Sequence, residues 1–155
     1  FVHTGETPQL PAELPDEMMQ ARAGVFVSLK IGGKLRGCIG TISAVTESIA
    51  QEIAKNAVAA CSDDPRFEPV RAEELERITY SVDVLGKTQR IEGMDQLDAK
   101  RYGVIVVSGY RKGLLLPNLE GVDTAEEQVK IAKRKAGIPE SERCRMERFE
   151  VVRHT

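Results

Sequence analysis

The chain has 155 residues and a formal net charge of −2, with 41% hydrophobic and 30% charged residues. This composition is typical of a folded globular protein, and the balanced charge argues against general attraction to nucleic acid. No apolar run approaches the roughly 20 residues that a membrane-spanning helix needs. We therefore predict neither a nucleic-acid partner nor a membrane partner. Tryptophan is absent and aromatic residues make up 5% of the chain, so an aliphatic core is expected.

The chain contains three cysteines, Cys38, Cys61 and Cys144, and two histidines, His3 and His154. An odd number of cysteines without CxxC spacing disfavours both a disulfide framework and a zinc site. We therefore expect a reducing compartment, the cytoplasm, and no bound metal. Because no phosphate-binding or dinucleotide-binding motif occurs, we also expect no cofactor. The histidines lie near opposite ends of the chain, so a Cys–His pair would require a terminus to fold over a cysteine.

The start of the chain suggests a segment cut from a longer protein, because it begins at Phe1 rather than methionine. Renumbering of the chain is an alternative. Residues 1–5 resemble the tail of a helix that ends at a glycine. Prolines at positions 8, 11 and 15 then predict an extended connector over residues 9–16. The length fits one domain over residues 1–155, with or without a small lobe.

A β-hairpin is predicted next. Apolar residues alternate over residues 25–31, the pair Gly32-Gly33 is a hairpin turn signal, and residues 34–41 form the returning strand.

The register of this hairpin decides where Cys38 points. A two-residue turn places Cys38 opposite Val27, on a sheltered face. A one-residue bulge would instead turn it to the side of Phe26. The sequence leaves both registers open.

An amphipathic helix follows, with Thr46 predicted as its N-cap. Apolar residues recur every four positions, at Ile49, Ile53, Ala57 and Cys61. This stripe predicts that Cys61 is a core residue rather than a reactive one. Residues 62–69 end the helix in a turn. Within this turn, Asp64 and Arg66 could pair with each other, cap backbone groups or bind a ligand.

The remaining elements follow from the same patterns. One helical turn is expected at residues 73–76, a strand at 78–84 and a short turn or helix at 95–99. A strand pair is expected at 103–108 and 114–116, a helix at 124–136 capped by Asp123 with Glu126 and ended by Gly137, and a last strand at 148–153. Consecutive strand pairs with short turns predict an α+β fold, mainly an antiparallel sheet flanked by helices.

The segment Leu35-Arg36-Gly37-Cys38-Ile39-Gly40 is the strongest candidate site. The two glycines leave space beside the thiol, and Arg36 two residues away can share a strand face with it and favour the thiolate. The simpler interpretation is a buried cysteine in a strand whose glycines mark close packing.

These residues resemble the AMMECR1 domain family. The resemblance extends over nearly the whole chain and is carried by the motif above with Asp64-Pro65-Arg66-Phe67, the strand at 78–85, Gly113-Leu114-Leu115-Leu116-Pro117, Ala136-Gly137-Ile138-Pro139 and Arg148-Phe149-Glu150. It implies an α+β fold with a main antiparallel sheet and a smaller second lobe. The family motif carries over onto Leu35, Arg36, Gly37, Cys38, Ile39 and Gly40, and no catalytic role carries over with it.

The resemblance also implies partners. Prokaryotic members resemble the A component of the three-part AmmeMemoRadiSam system, beside a Memo-like protein or domain and a radical SAM protein. Some members are fused to the Memo-like domain.

Two functions remain open. In the first, the chain is an enzyme or enzyme component that acts on or binds a substrate or modified protein. Cys38 is then a nucleophile or binding thiol assisted by Arg36, with Gly37, Gly40, Asp64 and Arg66 forming the binding surface. In the second, the chain is a non-catalytic protein-interaction or regulatory module.

Overall fold

The computed structural model describes residues 1–155, which divide into two compact units. The first unit comprises residues 1–85 and 152–155, and the second, smaller unit comprises residues 86–151. Each unit contains a four-stranded sheet. The predicted α+β class with antiparallel sheets and flanking helices is confirmed. No helix is long and apolar enough to cross a bilayer.

The first unit is built on the predicted hairpin. Its helices are α1 (Asp16–Gln20) and α2 (Ile49–Ser62), and its strands are β1 (Val25–Ile31), β2 (Lys34–Gly40), β3 (Ile78–Leu85) and, after the second unit, β8 (Val151–His154). The strand order is β2-β1-β3-β8, which leaves β2 at one edge of the sheet.

Helix α2 covers one face of this sheet. Val25, Val27 and Leu29 of β1 are at most 2% exposed and pack against apolar residues of α2, including Ile53 and Ala57. Because neighbouring residues of a strand point to opposite faces, the side chains between these three lie on the face away from α2. Cys61 packs against this core, as its position on the apolar stripe predicts, but it is half-buried rather than fully buried.

The hairpin contains a β-bulge. Ile31 pairs with Lys34 and Lys30 with Leu35, but Leu29 pairs with Gly37, so Arg36 is the extra residue. The register without a bulge is therefore wrong, because Cys38 lies opposite Ser28 rather than Val27. Of the two registers that the sequence allows, the bulged one is found, with Cys38 on the side of Phe26.

The N-cap of α2 is Ser48, and the prediction of Thr46 is wrong. The Ser48 hydroxyl accepts a hydrogen bond from the backbone N–H of Gln51. Thr46 has another partner, since its backbone N–H and hydroxyl both donate to the buried carboxylate of Glu52. A 3₁₀ helix at Ala72–Arg77 then includes the predicted helical turn and leads into β3.

The second unit contains β4 (Gln89–Ile91), a 3₁₀ turn (Met94–Gln96), β5 (Gly103–Ser108), β6 (Arg111–Leu115), α3 (Ala125–Ala136) and β7 (Arg145–Phe149). The strand order is β4-β7-β5-β6, and each strand runs antiparallel to its neighbours. Helix α3 packs on this sheet over Val104, Val106 and Leu115.

The ends of α3 test two predictions. Its capping box is formed by Thr124 with Glu127, one residue later than the predicted pair Asp123 and Glu126. Gly137 ends the helix with φ +70°, which confirms the predicted left-handed C-cap. The predicted last strand is two strands, because β7 belongs to the second sheet and β8 to the first.

Candidate functional site

Cys38 lies on edge strand β2, and a loop binds its backbone from outside the sheet. Its N–H donates to Asp64 Oδ2 at 2.9 Å, and its carbonyl accepts from Arg66 Nη2 at 3.2 Å. A free sheet edge exposes unpaired N–H and C=O groups. Here two side chains satisfy both backbone groups of one residue, so the position of Cys38 is fixed.

The loop that supplies these side chains begins where α2 ends. Asp64 is 4% exposed and accepts hydrogen bonds from the Arg66 backbone N–H at 3.1 Å, from Arg66 Nε at 2.9 Å and from Arg66 Nη2 at 2.7 Å. These bonds to Arg66, followed by the bond from Cys38, hold the pKa of Asp64 far below its usual range. Asp64 and Arg66 thus pair with each other and also bind the backbone, two of the three roles that the sequence left open.

Arg36 binds the end of this loop and the 3₁₀ helix that follows it. Its Nε and Nη2 reach the two carboxylate oxygens of Glu74 at 2.8 and 2.9 Å, and Nη1 donates to the carbonyl of Glu68 at 3.0 Å. The hydrogen bond from Arg36 is the main reason that the pKa of Glu74 falls to about 2. Arg36 is the extra residue of the bulge, and its guanidinium is bonded to Glu74 and Glu68 rather than to Cys38.

An aromatic ring completes this arrangement. The guanidinium carbons of Arg36 and Arg66 lie 6.0 and 5.5 Å from the ring centroid of Phe67, within the range of cation–π attraction. The two arginines and the Phe67 ring near both of them therefore form one cluster along the outer edge of β2. We call Arg36, Asp64, Arg66, Phe67 and Glu74 the edge clasp.

The thiol of Cys38 lies on the sheet face away from α2. The Ser28 hydroxyl donates to Cys38 Sγ at 3.3 Å. Ser28 is paired with Cys38 on one side and with Ser81 on the other, so a thiol and two hydroxyls form one row across three strands. All three residues are half-buried.

Both motif glycines are explained by close packing. A Cβ on Gly37 would lie 2.2 Å from the carbonyl oxygen of Ala60, so this glycine lets β2 approach α2. A Cβ on Gly40 would lie 2.2 Å from the ring of Phe26, which fills the space over that glycine. The space predicted beside the thiol is therefore occupied by a helix backbone at one glycine and by an aromatic ring at the other.

The chemistry available at Cys38 follows from these contacts. Hydrogen bonds to Asp64 are the main cause of the raised pKa of Arg66. Arg66 contacts the backbone carbonyl of Cys38, whereas Arg36 is bonded to the carboxylate of Glu74. Asp64 is a poor general base because its proton affinity is low and its oxygens are already bonded.

No histidine assists the thiol. His154 is on β8, three strands from β2 in the sheet, and His3 lies beside Leu29 on the α2 side. No group of three or more histidine, cysteine or acidic side chains is arranged to hold a metal ion.

Three contributors to the site, Ser28, Ser81 and Glu74, were missed by sequence reasoning. Ser28 could have been found from the bulged register, since that register places it opposite Cys38. Glu74 carries no local signal, because its pairing with Arg36 joins residues 38 positions apart.

Comparison with known proteins identifies the family. The sequence pattern of AMMECR1 matches residues 1–154. The chain belongs to the AMMECR1 family. A crystal structure of an uncharacterised protein from Pyrococcus horikoshii is similar to this chain with a TM-score of 0.89 and 31% sequence identity, covering 98% of this chain and 82% of that one.

Two bacterial relatives of this AMMECR1 domain differ in length. A protein of Thermotoga maritima is 48% identical over 99% of this chain and 90% of its own length. A protein of Clostridium acetobutylicum is 51% identical over 99% of this chain, but the match spans 33% of its length. In the clostridial protein the AMMECR1 domain therefore accompanies other polypeptide.

Proposed function

We propose that this AMMECR1 domain is a binding component of a multi-protein system with a Memo-like protein and a radical SAM protein. It contacts a substrate or a modified protein of that system through the row formed by Cys38, Ser28 and Ser81. The free cysteines suit a reducing compartment, which we take to be the cytoplasm.

The observation that carries this proposal is the fixed backbone of Cys38. Asp64 and Arg66 bind its N–H and C=O, while its side chain has only the Ser28 hydroxyl as a hydrogen-bond partner. A site that is held rigidly before a ligand arrives loses less entropy when the ligand binds. The charged residues of the motif and loop bind one another, so the thiol and the hydroxyls are the groups left for a ligand.

The length of the clostridial relative supports a role as a component. The AMMECR1 region makes up 33% of that protein, so there the domain works beside other polypeptide. A Memo-like domain in the remainder is part of our proposal.

A second candidate is a non-catalytic interaction or regulatory module. It is favoured by the edge clasp, in which Arg36 and Arg66 are used internally and Asp64 is unsuited to act as a base. In this case the sheet face binds a protein partner and no bond to Cys38 forms.

The experiment that tests the main proposal measures association with purified partners. The Memo-like and radical SAM proteins encoded in the same genome are titrated into the chain by calorimetry, singly and together. We expect binding that weakens at least tenfold in Cys38→Ala and Ser28→Ala. Cys144→Ala, in the second unit, is the control and should bind as the unmodified chain does. Absence of binding to either protein would overturn the proposal.

A second measurement separates the two candidates. Mass spectrometry of the mixed system reports whether Cys38 acquires a covalent adduct. An adduct on Cys38 supports a chemical role for the thiol, while tight binding without an adduct supports the interaction module.

A further inference from the structure

Basic residues are concentrated in two segments of the second unit, the turn between β5 and β6 and the region from α3 to the start of β7. Residues 109–112 and 129–145 together contain eight lysines and arginines and two glutamates, whereas the rest of the chain contains 14 basic and 22 acidic residues. The chain as a whole is therefore slightly acidic, while these two segments are strongly basic. A local excess of one charge attracts groups of the opposite charge.

The basic segments meet in space because Arg111 and Lys133 bind them together. Arg111 follows the β5–β6 turn, and its guanidinium donates to the carbonyl of Gly137 at 3.2 Å and forms an ion pair with Glu142. Lys133 of α3 donates to the carbonyls of Glu140 and Glu142, at 2.9 and 2.6 Å. The β5–β6 turn, the C-terminal end of α3 and the loop before β7 therefore form one continuous surface.

Both acidic side chains of this surface already have partners. The carboxylate of Glu142 is bound by Arg111 and by the Ser108 hydroxyl, and Glu140 is paired with Lys130 at 3.2 Å. The two glutamates are thus neutralised by residues of the same surface, and the remaining basic residues give it a net positive charge.

Three of the remaining cations have no role in holding the fold together. Lys112, Arg134 and Arg143 are exposed, and their side chains form no ion pair or hydrogen bond. Arg143 is adjacent to the residue that binds Arg111, and Arg134 is in the last turn of α3, so both lie near the β5–β6 turn. These three charges are therefore available to a partner.

An exposed aromatic ring lies among these cations. Tyr110 is 96% exposed at the tip of the turn. The turn that carries it is well defined, because Ser108 and Arg111 pair on either side of it and Gly109 supplies a φ of +58°. Tyrosine and arginine are enriched where proteins bind one another, since their side chains combine apolar contact area with hydrogen-bond donors. Tyr110 is thus presented as an anchor without a contact of its own.

We propose that Tyr110, Lys112, Arg134 and Arg143 form an interaction surface, which we call the basic surface, for an acidic segment of a partner protein. Carboxylates of that segment pair with the three free cations, and an apolar side chain packs on the Tyr110 ring. This proposal goes beyond the function proposed for Cys38, which belongs to the first unit, and it does not depend on that function.

Nucleic acid is a poorer match for the basic surface. The rest of the chain contains 22 acidic residues, which repel a long polyanion. A strand that binds through stacking needs several aromatic side chains for successive bases, and this surface offers Tyr110.

The first test uses a fluorescein-labelled short peptide in which glutamate and leucine alternate. Fluorescence anisotropy at low ionic strength should detect binding that weakens as salt is added. The affinity should fall at least fivefold in Lys112→Glu and in Arg143→Glu, because repulsion replaces attraction. Tyr110→Ala should also weaken binding. The same peptide with glutamine in place of glutamate should bind at least fivefold more weakly to the unmodified chain.

The matched control is Lys34→Glu, which reverses the charge of an exposed lysine at the β1–β2 turn of the first unit. This variant should bind the peptide as the unmodified chain does. The exchanged side chains are exposed and form no ion pair, so folding does not depend on them. Absence of peptide binding, or equal affinities of Lys112→Glu, Arg143→Glu and Lys34→Glu, would overturn the proposal.

The second test locates the bound peptide on the unmodified chain. A carbodiimide joins the carboxylates of the peptide to nearby lysine amines, and mass spectrometry identifies the modified lysines. We expect more cross-links at Lys112 than at Lys34, which is also exposed. Cross-links that are as frequent at Lys34 as at Lys112 would overturn the proposal. A single-stranded oligonucleotide of equal charge that binds more tightly than the peptide would also overturn it, in favour of a nucleic-acid surface.

Discussion

Asp64 binds the backbone N–H of Cys38 at 2.9 Å, across 26 positions of sequence. This contact joins the motif at residues 35–40 to the turn at residues 62–69. Asp64 therefore has a structural role rather than that of a catalytic acid. Its carboxylate binds the edge of the sheet at a position where a further strand would otherwise pair. Arg66 then occupies the other side of the same backbone unit.

Replacing Asp64 by Asn tests this contact. The change leaves one acceptor oxygen for four donors and turns an NH₂ group toward some of them, so we expect a loss of about 1–3 kcal/mol in the free energy of unfolding. Urea unfolding at pH 7 measures it. Asp63→Asn, the exposed neighbour, should change the stability little.

The difference in stability between the unmodified chain and Asp64→Asn should depend on pH. The pKa of Asp64 is lowered in the folded state from an ordinary value of 3.8. Its contribution is therefore complete above about pH 4 to 5 and declines as the pH falls toward the lowered value, because only the unfolded chain takes up the proton. The difference between the unmodified chain and Asp64→Asn should shrink below pH 4. A difference independent of pH would contradict this interpretation.

Glu52 is a buried carboxylate that has no cation as partner. It is 0% exposed and accepts hydrogen bonds from Thr41, Val45 and Thr46. Burial alone would raise the pKa of Glu52, but these hydrogen bonds outweigh it and lower the pKa.

We therefore expect Glu52→Gln to lower the free energy of unfolding by about 1–3 kcal/mol, because an amide nitrogen would face N–H and hydroxyl donors. Chemical denaturation at pH 7 measures the loss. Glu47→Gln, an exposed change in the loop just before α2, is the control. Equal stabilities of the two variants would show that the carboxylate charge is not needed.

Gly37 provides a test of packing between strand and helix. A Cβ at this position would lie 2.2 Å from the Ala60 carbonyl oxygen, a backbone atom that cannot move alone. Gly37→Ala should therefore cost about 1–3 kcal/mol of stability. Leu35→Ala on the same strand, where the side chain is 40% exposed, should cost less. Thermal unfolding of both variants measures the two losses. A larger loss for Gly37→Ala shows that the close contact with α2, rather than the strand preference of the residue, determines the stability at this position.

The sequence predicts well what depends on local pattern. The hairpin turn at Gly32-Gly33, the stripe that places α2 on the sheet and the left-handed Gly137 each follow from residues a few positions apart. The N-cap of α2 lies two residues after its predicted position, and that of α3 lies one residue after its predicted position. Neighbouring polar residues can each fill the capping role, so the local pattern does not decide between them. Thr46 looks like a cap, but its hydroxyl binds the buried Glu52.

What could not be predicted depends on long-range contacts. Arg36, the extra residue of the bulge, binds Glu74, and nothing near Arg36 in the sequence reveals that partner. The same holds for the split of the last strand, since the assignment of β7 and β8 to different sheets depends on strands far away in the chain.

Gly137 tests a backbone conformation. Its φ of +70° is unfavourable for a β-branched residue, so Gly137→Val should destabilise the protein by about 1–2 kcal/mol. Gly137→Asn is the matched variant, because asparagine adopts this conformation more readily. The order of melting temperatures should be unmodified chain, then Asn, then Val. A Val variant as stable as the Asn variant would remove the conformational argument.

The two arginines of the edge clasp should differ in their effect on the reactivity of Cys38. Arg66 contacts the backbone carbonyl of Cys38, whereas Arg36 is bound to Glu74. A nearby cation favours the thiolate, which is the form that attacks an alkylating agent. Arg66→Gln should therefore slow iodoacetamide labelling of Cys38 at pH 8 severalfold, and Arg36→Gln should slow it less. Because both variants lose an ion pair of the same clasp, the Arg36 variant controls for general loosening, which would speed the labelling rather than slow it. If Arg36→Gln slows the reaction as much as Arg66→Gln does, the charge that acts on Cys38 is not specific to Arg66.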